Sequence, residues 1–484
     1  MNINPLIFRA YDIRGIADPV DGKPTDLTEK TVYLIGRATG IYLQKKYAVK
    51  TMAVGSDNRL TGEALKKAYI HGLIDSGIQP TDIGLVTSPM VYWTTCAGMA
   101  IPFDSATNIT ASHNPKEYNG LKIVTKGAHS ICGDELQEIL KIIQTEEKNW
   151  PEFNSSTRAE TIPTLNIWPQ YLTDITSRTK ITHPYPPTGA TFKVVVDCGN
   201  GVAGKFAPEL LRKLGCEVIE LYCELDGNFP NHEANPEELH NMTDLIKTVL
   251  DHKADLGLGF DGDGDRVGVV DEKGHHYSAD FMLLLLARDL LARLPNSQIV
   301  FDVKVSQAII NDLKKHSAIP VMSKTGHSFI EAKMKEIGAP LAGEVSGHLF
   351  FAENYYGFDD ALLAAARILE IASKSPKPFS NSFDDLPKTC TTPEFKAHCP
   401  DDRKFDIVKN LVKHFTSLYD CITIDGVRVN FDENSWGAIR ASNTSPNLTL
   451  RFEALTPERL AEIQKIMVEE LQKYPEISLD WYTT

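Results

Sequence analysis

The chain has 484 residues, too many for one hydrophobic core, and its length predicts about three or four domains. Its 42% hydrophobic and 24% charged residues are those of an ordinary globular protein and exclude large-scale disorder. A formal net charge of −14 opposes nonspecific binding to nucleic acid or anionic membranes, so no nucleic-acid or membrane partner is expected, and an anionic ligand would need a local basic cluster.

The N-terminal stretch MNINPLIFRAYDIRG lacks a charged segment followed by a long apolar one, so no secretory signal is read there. Three segments further on share one outline: an apolar strand reaching an aspartate, an amphipathic helix, then a short second strand. They begin at MAVGSDNRL, FKVVVDCGN and IVFDVKVSQ, and they place Asp57, Asp197 and Asp302 at corresponding points. Such a repeat predicts three related α/β domains, each with a mainly parallel sheet covered by helices, with ligands gathering at the carboxyl ends of strands. Polar, Pro-rich stretches, NWPEFNSSTRAETIP and THPYPPTG, suit a connection between the first two units. The run FMLLLLARDLLARL is broken by Arg288 and Asp289 and is too short to span a bilayer, which leaves a buried core helix. After a second polar break, ITIDGVRVNF, GAIRAS and LTLRFEAL read as strands. TPERLAEIQKIMVEELQK reads as a helix with Thr456 as N-cap and Pro457 at its first position. A smaller α+β domain is therefore expected at the C-terminus. The eight cysteines contain no CxxC pair and read as reduced thiols, as in the cytosol.

Five local patterns carry possible chemistry. In GFDGDGDRVGVVDEKG, Asp261, Asp263 and Asp265 alternate with glycines, which reads either as a curled loop whose three carboxylates converge on one hard cation, magnesium or calcium, or as a solvated acidic turn. Glu272 falls where an EF-hand would place its last ligand, but Arg266 stands where that loop needs glycine and the flanks look like strands. GNGVAG, with Gly199, Gly201 and Gly204 between a strand and a helix, is either a dinucleotide fingerprint or a tightly packed turn. In TNITASHNPKEYNGLKIV, Ser112 is a turn residue, a nucleophile with His113 as base, or a phosphate carrier. A phosphoserine would seek a divalent cation and basic groups, which the aspartate loop and Lys122 would supply. In APLAGEVSGHLFF, Glu344, Ser346 and His348 would point one way if the segment is extended, as a sugar-binding comb or an exposed strand face. AIRASNTSPNLTLRFE offers Arg440, Ser442, Asn443, Thr444 and Ser445 as a phosphate cradle or an ordinary turn.

Taken together and in this order, FRAYDIRG, TASHNP, NGLK, DGDGDR, DVK, TGHSFI, GEVSGH and RASNTSPN resemble the α-D-phosphohexomutase superfamily over nearly the whole chain. The resemblance implies four domains around one central cleft, with expected spans 1–157, 158–273, 274–387 and 388–484. By it, Ser112 would be the phosphorylated catalytic serine, and Asp261, Asp263 and Asp265 would bind Mg²⁺ together with the serine phosphate. Tyr11, Arg14, His113, Lys122 and Arg266 would line the reacting end. Lys304 and His327 would face the substrate, Glu344 and Ser346 would hold sugar hydroxyls with His348 nearby, and Arg440, Ser442, Asn443 and Thr444 would grip the phosphate that is not reacting. The implied reaction moves a phosphoryl group between C1 and C6 of a hexose phosphate through a hexose 1,6-bisphosphate, which also serves as activator, with a hinge motion of the last domain. Val345 departs from the Gln of phosphoglucosamine mutases, which favours mannose or glucose phosphates as partners. The expected state is a monomer or weak homo-oligomer in the cytoplasm. Phosphoglucosamine mutase, a dinucleotide-dependent oxidoreductase and a noncatalytic sugar-phosphate binder are the alternatives.

Overall fold

A computed structural model describes residues 3–20, 22–150, 161–181, 191–442 and 445–482. The expected boundary at 157/158, most of the first Pro-rich stretch and all of the second, and Asn443 and Thr444 lie outside the described residues. By backbone contacts the chain forms two compact units, Met1–Ala279 with Ser346–Asn381, and Asp280–Val345 with Ser382–Thr484. The stretch expected as a third domain, 274–387, is thus divided between the two.

The first unit holds two sheets built on one plan. In the N-terminal sheet, Thr51–Ser56 lies between Gln79–Leu85 and Ser105–Ile109 and is parallel to both, while Tyr118–Thr125 and Ile13–Ile16 extend it antiparallel. In the next, Lys193–Asp197 lies between Glu217–Leu221 and Leu256–Phe260, again parallel to both, and Val267–Asp271 returns antiparallel. Helices Glu29–Tyr47, Gly62–Ser76 and Asp134–Glu146 supply Val32, Ile35, Leu43, Ile70, Leu73 and Ile139 to a core shared with Met52, Val54, Ile109 and Leu121 of the strands. Burying these side chains at about 25 cal/mol per Å² is the main force fixing the N-terminal sheet. Ser346–Asn381 adds the short hairpin Leu349–Phe351/Phe358–Asp359 and the helix Ala361–Lys374, which Asp360 caps by accepting from the Leu363 amide.

The second unit repeats the plan once. Gln298–Asp302 lies between Ile319–Ser323 and Leu341–Gly343, parallel to both. The expected aspartates therefore end, or immediately follow, the middle parallel strand of three sheets. Each makes the same turn: Asp57, Asp197 and Asp302 accept from the backbone N–H two residues on, at 3.0, 2.9 and 3.1 Å. This side-chain turn is the physical content of the sequence repeat. The core-helix expectation is met by Ala279–Leu291, whose Leu283, Leu284, Ala287 and Leu290 are buried, while Arg288 turns aside to pair with Asp312 and Asp385. The C-terminal part is an antiparallel sheet with helices Lys404–Thr416 and Pro457–Leu471 packed on it through Leu411, Phe415, Ile463 and Met467. Thr456 caps the last helix and Pro457 opens it, as the sequence predicts.

Candidate active site

Ser112 occupies a tight turn after the strand Ser105–Ile109 and is buried, with φ +52°. Its Oγ donates to Asp261 Oδ2 at 2.8 Å, and His113 Nδ1 lies 3.2 Å from the same oxygen. The aspartate loop that meets it joins Leu256–Phe260 to Val267–Asp271, two paired antiparallel strands, so the flanks are those of a hairpin and not of an EF-hand. Glu272 points elsewhere and accepts from Ser380. Glycine is needed at both intervening positions. A Cβ on Gly262 would sit 2.4 Å from the Ser112 carbonyl oxygen, and Gly264 has φ +71°.

Asp261, Asp263 and Asp265 are fully buried, and each offers an oxygen within 4.8 Å of the others. Lys122 Nζ reaches Asp263 Oδ2 at 2.8 Å and Asp265 Oδ2 at 2.5 Å, while Asp263 Oδ1 has no hydrogen-bond donor and Asp265 Oδ1 has a His348 ring nitrogen 3.4 Å away. Buried carboxylate oxygens without donors are costly unless a cation takes them, so this donor set fits a hard divalent ion. The charges are strongly coupled. Burial, then Asp265 and Asp263, push the Asp261 carboxyl well above its ordinary value. Burial works the same way on Asp265, but Lys122, His348 and Arg266 outweigh it and hold that carboxyl well below. Burial would depress Lys122, yet Asp263 and Asp265 keep its ammonium protonated far above the usual lysine range.

Arg14, on the edge strand, donates to Asp12 at 2.6 Å, to Asn114 Oδ1 at 2.9 Å and to the Ala111 carbonyl at 3.2 Å, so it faces the serine loop. Tyr11 lies in the preceding loop and is half-buried. Arg266 Nε lies 3.2 Å from His348 Nε2, and that ring nitrogen is 3.4 Å from Asp265 Oδ1. Ser346 Oγ lies 3.0 Å from His348 Nδ1. The extended comb of Glu344, Ser346 and His348 is corrected here. The strand Leu341–Gly343 ends before them, and Gly347, with φ +108°, turns the chain before Leu349–Phe351, so strict alternation does not hold. Glu344 instead accepts from the Gly326 amide at 2.6 Å within the second unit.

Also in the second unit, Lys304 Nζ pairs with Glu394 at 2.5 Å, and the carbonyls of Val303, Lys304 and Val305 accept from Arg428 or Arg451. His327 opens the helix His327–Ile337 after Gly326. Arg440 donates to Asp425 at 2.7 Å, while Ser442 and Ser445 share a hydrogen bond and Lys404 donates to both their carbonyls. GNGVAG is a packed turn: a Cβ on Gly201 would meet Gly262 Cα at 2.9 Å, and one on Gly204 would meet the Cys223 carbonyl at 2.2 Å. All eight cysteines are free thiols.

Sequence reasoning missed two residues close to the serine and the aspartate loop. Ser88 Oγ donates to Asp263 Oδ2 at 2.6 Å and accepts from Asn108. The Arg59 guanidinium lies beneath the serine loop; its only sequence signal was its place two residues after the repeat aspartate Asp57.

Fold and site define a multidomain α/β protein with a buried acidic centre set against a serine-bearing loop. Four family descriptions match the chain in order: phosphoglucomutase/phosphomannomutase alpha/beta/alpha domains I, II and III at residues 5–150, 169–274 and 278–390, and the C-terminal domain at 394–470. A phosphomannomutase/phosphoglucomutase of Pseudomonas aeruginosa is 43% identical over 467 residues, covering 96% of this chain and 95% of that one. A phosphoglucomutase of Neisseria gonorrhoeae is 40% identical over 97% of this chain and 98% of its own. The crystal structure of a phosphoglucomutase/phosphomannomutase family protein from Burkholderia thailandensis superposes with TM-score 0.86 at 36% identity, covering 98% of each chain. The chain belongs to the phosphoglucomutase/phosphomannomutase family and has its four domains. Among the described residues no helix is long and apolar enough to cross a membrane.

Proposed function

We propose that the protein is a phosphohexomutase, an isomerase that moves a phosphoryl group reversibly between C1 and C6 of mannose or glucose phosphate. The observation that carries it is the buried contact of Ser112 Oγ with Asp261, beside Lys122, Asp263 and Asp265. Ser112, once phosphorylated, gives its phosphoryl group to the free hydroxyl of the sugar phosphate, and the resulting hexose 1,6-bisphosphate returns its other phosphate to Ser112. A divalent cation, Mg²⁺ by family, held by Asp261, Asp263, Asp265 and the serine phosphate would offset negative charge on the transferring oxygens. Lys122 and Arg14 supply fixed positive charge there, since both ammonium and guanidinium stay protonated against their buried aspartate partners. His113, Tyr11 and Arg266 line the reacting end, with His348 next to Arg266.

In the second unit, Lys304 and His327 are assigned to the substrate, Glu344 to sugar hydroxyls, and Arg440, Ser442, Asn443 and Thr444 to the phosphate that is not reacting. Ser346 is assigned to a hydroxyl as well. Hexose 1,6-bisphosphate acts as activator because it rephosphorylates any empty Ser112.

The deciding experiment runs mannose 1-phosphate, glucose 1-phosphate and glucosamine 1-phosphate side by side with trace bisphosphate, for wild type and Ser112→Ala. Turnover of the first two by wild type alone, with a phosphate's mass on Ser112, is expected. Full activity in the alanine variant would overturn the proposal, and preference for glucosamine 1-phosphate would move the substrate to an amino sugar.

A further inference from the structure

Arg59 sits under the serine loop with only 3% of its surface exposed, and all five of its guanidinium N–H groups have work. One terminal nitrogen donates to the carbonyls of Ser112 and Asn114 at 2.7 and 2.6 Å, and the other to those of Pro115 and Tyr118 at 2.7 and 2.9 Å. Nε donates to Asp57 Oδ2 at 3.2 Å. That carboxylate oxygen accepts from Thr110 Oγ1 at 2.6 Å, and Thr110 Oγ1 in turn accepts from the Ser112 amide at 2.9 Å. The connections form a closed circuit, Arg59 to Asp57 to Thr110 to Ser112 and back to Arg59.

The circuit has something to hold. Ser112 is a non-glycine residue at φ +52°, a conformation that costs about 1 kcal/mol and persists only where its surroundings over-determine it. Its carbonyl oxygen lies between the Arg59 guanidinium and the Gly262 backbone, against which no Cβ would fit. Moving that carbonyl would therefore move Ser112 against the aspartate loop. A planar fork can grip four carbonyls at once, and a lysine ammonium in its place cannot.

We propose that Arg59, acting through Asp57 and Thr110, is the positioning residue that sets Ser112 Oγ in register with the Asp261–Asp265 loop for phosphoryl transfer. The inference rests on Ser112 being the phosphate carrier. Arg59 makes no hydrogen bond to the carboxylates of that loop, and a lysine in its place keeps the positive charge that interacts with Asp263, so Arg59→Lys should slow the transfer step and leave substrate and metal binding in place.

The test compares Arg59→Lys and Thr110→Val with wild type, using kcat and KM for glucose 1-phosphate, Mg²⁺ affinity by calorimetry, and thermal midpoint. A misplacement of the order of 1 Å costs about a hundredfold in rate. The expected result is a kcat lower by about a hundredfold for Arg59→Lys and about tenfold for Thr110→Val, with KM and Mg²⁺ affinity within about threefold of wild type. Thr110→Val keeps the side-chain shape and removes only the bridging hydroxyl, so it decides the matter if Arg59→Lys fails to fold. Unchanged kcat in a folded variant, or kcat, KM and thermal midpoint falling together, overturns the inference. Retained mutase activity in Ser112→Ala defeats the functional assignment itself. Loss of activity there, combined with fully active Arg59→Lys and Thr110→Val, defeats only the positioning role.

Discussion

Ser112 Oγ and Asp261 Oδ2, 149 positions apart in the chain, meet at 2.8 Å with both residues buried. The contact requires two backbone loops to approach without side chains between them, and Gly262 makes that approach possible. Gly262→Ala would place a methyl 2.4 Å from the Ser112 carbonyl, so one loop must give way. Overpacking of this kind costs about 1–3 kcal/mol. We expect a lower thermal midpoint together with weaker Mg²⁺ binding; wild-type values for both would show that the loops have slack.

Lys122 pairs with two buried carboxylates, and its role should depend on whether a cation is bound beside it. In Lys122→Met, Asp263 and Asp265 lose the ammonium bonded to both, a change worth about 3–5 kcal/mol when nothing replaces it. A bound cation replaces much of it. The variant is therefore expected to lose more stability in EDTA than in excess Mg²⁺, besides losing mutase activity. Equal losses under both conditions, read by thermal melts, would mean that the cation does not bind at these carboxylates.

Ser88 supports Asp263 from a short helix of the first domain, donating at 2.6 Å. Groups that orient a metal-binding carboxylate typically change affinity by about 10–100-fold when removed. Ser88→Ala is expected to weaken Mg²⁺ binding by about tenfold, at the lower end of that range because Lys122 still holds the same oxygen. Calorimetric titration giving an unaltered Kd would remove Ser88 from the site.

Asp360 carries a pH signature of its own. It is fully buried, and burial raises its carboxyl to about 6 even though Tyr355, Tyr171 and the Leu363 amide all donate to it. Below about pH 4 the group is protonated in folded and unfolded chains alike. Between about 4 and 6 only the folded chain keeps the proton, so this contribution to stability is lost as pH rises through the folded value. Two pKa units correspond to about 3 kcal/mol. Asp360→Asn cannot titrate and should flatten the fall in stability between pH 4 and 7, measured by urea midpoints. A slope equal to wild type would place the titration elsewhere.

The sequence alone determined the features whose cause is local. An aspartate at the end of an apolar strand bonds to the amide two residues on, so Asp57, Asp197 and Asp302 announced three related sheets. Thr456–Pro457 announced a helix start, and the alternation of aspartate with glycine in DGDGDR announced a curled hairpin rich in carboxylates. The eight motifs in order carried the family, with Ser112, Lys122 and the three aspartates among them. Tertiary structure decided what depends on distant segments. Lys122 bridges carboxylates more than 140 positions away, and Arg59 gathers carbonyls 53 to 59 positions away. Spacing cannot encode either partnership, because nothing in a strand period or a turn propensity reports where another domain's loop will come to rest. The comb of Glu344, Ser346 and His348 failed for the converse reason: alternation requires extended backbone, and Gly347 ends it. Four of the five N–H groups of the guanidinium beneath Ser112 go to main-chain carbonyls, and backbone oxygens leave no trace in a sequence.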